Sequence, residues 1–147
     1  MTTAPDLRTR LEGSRAALLL ALEGLTDREF GAEIQPGVTV IGVLARLAPA
    51  ERAAVDAARV AAGMPPHSGP IAAGALLTRA VPPQVIHDLA GARHGTLTFI
   101  EGLQPEHLGS TTPDGQSALA LLAAIVEREE AAAHQIAALP RGGVTPA

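Results

Sequence analysis

The sequence predicts an all-α domain, a four-helix bundle made of two repeated helical hairpins joined by a long crossover link. Apolar residues recur at helical spacing in four long stretches. Two long stretches of the chain align with two later ones, without a gap, at an offset of 78 residues. Apolar residues make up 47% of the 147, yet Trp, Tyr and Cys are absent and Phe occurs only twice, so the core must be Ala, Leu, Val and Ile. Such small side chains favour closely approaching helices. At this length one domain is expected, spanning 1–140, with a flexible C-terminal tail at 141–147.

The elements follow from the repeat. Leu11 to Gly31, LEGSRAALLLALEGLTDREFG, lies over Leu89 to Gly109, LAGARHGTLTFIEGLQPEHLG. Leu11/Leu89, Arg15/Arg93, Glu23/Glu101, Gly24/Gly102 and Gly31/Gly109 are identical pairs. At the same offset PGVTVIGVLARLAPAERAA (36–54) meets DGQSALALLAAIVEREEAA (114–132), where Leu44/Leu122 and Glu51/Glu129 coincide. Each copy reads as a helix, a Gly-Leu stop, a polar loop and a second helix opening near Thr39 or Ser117. Helices are therefore expected at about 5–25, 38–62, 82–103 and 115–139. Pro82 and Pro83 suit the first turn of the third, where a missing N–H costs nothing. Pro49 should kink the second, because it cannot donate to the carbonyl of Ala45. GMPPHSGPIAAG (63–74) begins the crossover between the hairpins.

Composition excludes several functions. Without cysteine there is no disulfide, thiolate nucleophile or Cys-based metal site. The net charge is −4, all 11 basic residues are scattered arginines, and no Trp or Tyr can stack on bases, so nucleic-acid binding is not expected. The longest apolar run, AALLLAL at 16–22, is far short of the roughly 20 residues of a membrane span, and the N-terminus lacks a signal peptide's layout. A cytoplasmic protein is expected.

PGVTVIGVLARLAPAERAA resembles the second-helix segment of the DinB-like superfamily of four-helix bundles, and LLAAIVEREEAAAHQIAAL resembles its fourth helix. The turns LEGLTDREF and IEGLQPEHL extend the likeness to nearly the whole chain except the middle link and the tail. The resemblance implies a homodimer and a divalent metal, often nickel or zinc, held by one His on the second helix and two at i, i+4 spacing on the fourth. The matching positions are Arg46, Arg128 and Ala132. A guanidinium has no lone pair to offer, so the triad is lost and no cofactor is expected at the family site.

Other candidates are few. The five histidines, His67, His87, His94, His107 and His134, form neither HxxxH nor HExxH. His87 and His94 share a face of the third helix. Glu127, Glu130 and His134 share a stripe of the fourth and could hold a relocated nickel or zinc, but the stripe lies opposite Leu122, Ile125, Ala132 and Ile136 and reads as a solvated face. Glu51 and Glu129 instead fall near the middle of the apolar faces of their helices, and buried carboxylates are costly unless paired. Arg46 and Arg128 are the expected partners, in an Arg/Glu cluster standing where relatives hold a metal. The alternatives are that helix rotation or the Pro49 kink turns the carboxylates to solvent, or that a dimer interface covers them.

Three functions fit these residues. The first is a metal-free, non-catalytic DinB-like protein that binds a small molecule or serves as a stress-response accessory module. The second is a metal-dependent hydrolase or thiol transferase with a relocated site. The third is a structural oligomerisation module.

Overall fold

In chain order α1 (Ala4–Leu22), α2 (Asp27–Phe30), β1 (Glu33–Gln35), β2 (Val38–Thr39), α3 (Val40–Ala61), α4 (Pro82–Glu101), a 3-10 helix (Pro105–Gly109) and α5 (Ala118–Ala137) make a mostly helical, all-α fold. These belong to a computed structural model that describes residues 2–66 and 81–140. The expected crossover and His67 lie from residue 67 onward outside the described residues, as does the tail from 141. Among the described residues no helix is long and apolar enough to cross a membrane.

Local chemistry starts each long helix. Thr3 caps α1 in a reciprocal box with Asp6, Thr39 caps α3 by accepting from the Gly42 amide, and Ser117 caps α5 by accepting from the Ala120 amide. Pro82 opens α4, as its fixed φ favours. α3 runs unbroken through Pro49.

The loops hold more structure than a polar linker. Thr26 and Glu29 form a capping box that starts the single turn of α2 and buries Phe30. The chain then makes a small antiparallel ribbon, Glu33 opposite Thr39, with Pro36 and Gly37 at its turn; Gly37 has φ +78°, which glycine tolerates without strain. The same features recur 78 residues on. Leu108 is buried where Phe30 is, Thr111 bridges Ser117 as Glu33 bridges Thr39, and the Ala118 amide donates to Ser110 as the Val40 amide donates to Ala32.

The two long helices within each half of the chain are not each other's principal packing partners. α1 lies mainly along α5, and α3 lies along both α4 and α5, with a smaller contact between α1 and α4. Each half of the chain thus buries its apolar stripes mainly against the other half, rather than closing on itself as a packed hairpin. The core falls into two clusters. One gathers Leu18, Phe30, Val40, Leu44, Leu89 and Ile136; the other gathers Leu11, Val55, Phe99, Leu108, Leu122 and Ile125.

Candidate functional site

A layer of charge separates these clusters. On α1 it is Arg15, between Leu11 and Leu18; on α3, Glu51, between Leu47 and Val55; on α4, Arg93, between Leu89 and Phe99; on α5, Glu129, between Val126 and Ala132. Each sits at a position its helix turns inward: Arg15, Glu51 and Glu129 have buried apolar residues three or four away on both sides, and Arg93 has buried Leu89 four before it and buried Thr96 three after. Glu51 and Glu129 are each 2% exposed and Arg93 is 6% exposed.

The four side chains answer one another. Arg93 donates from Nε to Glu51 Oε2 at 2.9 Å and from Nη2 to Glu51 Oε1 at 3.2 Å, a side-on fork. Its Nη2 also reaches both oxygens of Glu129, at 3.1 and 3.0 Å. Arg15 donates from Nε to Glu129 Oε2 at 3.1 Å. Its Nη2 stands 3.0 Å from the same oxygen and 3.7 Å from Glu51 Oε1, charge contacts without hydrogen-bond alignment. Two hydroxyls complete the shell: Ser14 donates to Glu129 Oε1 at 2.8 Å and Thr96 to Glu51 Oε2 at 2.6 Å. Every carboxylate oxygen of the pair is therefore engaged.

The backbone contacts are reciprocal. Arg15 Nη1 donates to the carbonyl of Leu89 at 3.3 Å, and Arg93 Nη1 donates to the carbonyl of Leu11 at 2.8 Å. Leu11 and Leu89, Arg15 and Arg93, and Glu51 and Glu129 are all 78 residues apart. The hydroxyls break this correspondence, because at the same offset Ala92 matches Ser14 and Leu18 matches Thr96.

Two positive and two negative charges make the layer neutral. Burial works against the charge on Arg93, but hydrogen bonds and Coulombic attraction from Glu51 and Glu129 outweigh it and hold its pKa above the ordinary arginine value. The guanidinium stays charged at any physiological pH.

The expected partners of the buried carboxylates are corrected. Arg46 and Arg128 are exposed, since each lies one side of its helix away from the stripe that carries Glu51 or Glu129. Arg15 and Arg93 take that role, and neither rotation nor Pro49 turns the carboxylates to solvent. The sequence does carry a signal for them: they are an identical basic pair at the 78-residue offset, each four residues after a leucine. Ala132 is buried in the apolar core, so the positions matching the family triad form no donor set. Glu127, Glu130 and His134 are all exposed on α5, as are His87 and His94 on α4. Among the described residues no group of three or more His, Asp or Glu is placed to hold a metal ion.

Two open grooves lie on the described surface. One, about 780 Å³, is lined largely by apolar residues from the start of α1, the end of α4 and the 3-10 helix, including Ile100, Leu103 and Leu108. The other, about 600 Å³, lies between α3 and α4 beside Arg52, Val55, Met64 and Phe99. No family model, curated protein or solved structure matches the chain.

Proposed function

We propose that this chain is a DinB-like four-helix bundle, built from two copies of one unit about a pseudo-twofold axis, that works without metal or catalysis as a small-molecule-binding or stress-response accessory protein. The observation that carries this is the saturation of the Arg15–Glu51–Arg93–Glu129 layer. A carboxylate that moves protons needs an oxygen open to substrate, and here every oxygen already faces a guanidinium or a hydroxyl. The layer ties the two copies together, because each copy contributes one Arg and one Glu. The reciprocal bonds of Arg15 and Arg93 to Leu89 and Leu11, and the recurring ribbon contacts, support the twofold relation.

The residues do not fit the metal of the resembled family, since Arg46 and Arg128 offer no lone pair and Ala132 no donor at all. With no such centre, the two grooves are where a ligand would sit. The homodimer implied by the resemblance belongs to the same reading, and Leu19 and Leu20 on α1, 48% and 70% exposed, offer it an apolar patch.

Elemental analysis of the purified protein, with thermal melts in the presence and absence of Ni²⁺, Zn²⁺ and Mn²⁺, tests the proposal. No stoichiometric metal and an unchanged melting temperature are expected. Stoichiometric metal with a raised melting temperature would overturn it and restore the hydrolase or thiol-transferase reading.

A further inference from the structure

Arg52 follows the buried Glu51 on α3 but takes no part in the charged layer. It is half-buried against α4, where a Cβ added to Gly91 would stand 3.6 Å from its Nη2. No hydrogen bond or ion pair holds its guanidinium among the described residues. Asp56 borders the same groove and Asp88 the narrow cleft on the other side of Arg52, and no ion pair joins Arg52 to Asp88. Half-buried and lining open clefts on both sides, this guanidinium is placed to receive an anion from outside the chain.

The groove beside it has room for one. Its volume of about 600 Å³ falls within the range of small-molecule sites. Gly95 leaves the α4 wall open, with nothing within 4 Å of where a side chain would start. Val55, Met64 and Phe99 supply an apolar lining. The groove's second arginine, Arg59, is already committed, donating from Nε to the Pro65 carbonyl at 2.9 Å and lying 5.7 Å over the Phe99 ring.

We propose that this groove binds a small amphipathic monocarboxylate, with the carboxylate on the Arg52 guanidinium and the apolar body against Val55, Met64 and Phe99. A guanidinium matches a carboxylate in a two-pronged pair, and the apolar surface opposite would bury a short hydrocarbon chain. The inference names the ligand class for the small-molecule binding proposed above and rests on that part of it.

Isothermal titration of the full chain with decanoate, and separately with decan-1-ol, tests it. Saturable decanoate binding is expected, weakened on the order of tenfold or more by Arg52→Gln and lost in Gly95→Leu, whose side chain would occupy the groove. Decan-1-ol should bind more weakly than decanoate. Thermal melts establish that each variant folds, and Gly95→Leu carries the test if Arg52→Gln does not. Decanoate binding that neither variant weakens, or none at all, would overturn the assignment. Decan-1-ol binding that Gly95→Leu abolishes, without decanoate binding, would overturn the carboxylate while leaving a ligand groove; binding of neither would count against both.

Discussion

Arg93 is the residue on which the charged layer turns, because one guanidinium serves both carboxylates and the Leu11 carbonyl. Removing it leaves two buried carboxylates facing only Arg15 and two hydroxyls. Arg93→Met should lower unfolding stability by about 3–5 kcal/mol, measured by urea denaturation. Replacing all four charged residues with apolar ones of similar volume should cost much less than that single change, since no uncompensated charge remains. An equal or larger loss in the fourfold variant would mean the layer contributes far more net stability than buried ion pairs ordinarily do. The raised pKa of Arg93 adds no pH dependence near neutrality. Its contribution is fully present below the unfolded arginine pKa and is lost only as pH climbs through the higher folded value.

Caps and turns decide the elements. The Thr3 backbone amide, and then its hydroxyl, hold the Asp6 carboxyl below the ordinary aspartate pKa. A depressed folded pKa gives stability that is present above the unfolded value and lost as pH falls through the folded one. Asp6→Asn should therefore destabilise α1 at neutral pH, and the gap from the parent should close in melts run at progressively more acidic pH. Thr3→Ala removes the other half of the box, at about 1 kcal/mol. Gly37→Ala should cost about 1–2 kcal/mol, because a side chain is strained at φ +78°. Gly13→Ala, on the exposed side of α1 with open space around it, should gain about 0.5–1 kcal/mol. Comparing the denaturation midpoints of these two variants separates backbone strain from helix propensity. The long helices were legible from periodicity, and Thr39 and Ser117 were legible as their starts. Periodicity gives residues 26–30 only as polar loop, although TDRE spells the capping box that folds α2; the 3-10 turn closes on local bonds, including the Gln104 amide to His107 Nδ1, whereas the ribbon is held by backbone bonds to residues further along.

At the scale of the whole molecule, each half depends on the other. α1 and α3 pack mainly on α4 and α5 rather than on each other, and each half brings one arginine and one glutamate to the layer. A protease site introduced within 67–80 and cleaved in the folded protein should leave two fragments that co-elute in size exclusion. Fragments that separate without denaturant would show that the contacts between halves are weaker than this packing implies. The sequence by itself determined the helical class, the long helices of the described residues and the inward placement of Glu51 and Glu129, because periodicity is a property of the chain read along its length. Only the tertiary structure decided that the carboxylates meet Arg15 and Arg93 instead of Arg46 and Arg128. A helical wheel reports which way a side chain points on its own helix, whereas its partner depends on which helix lies opposite and at what height.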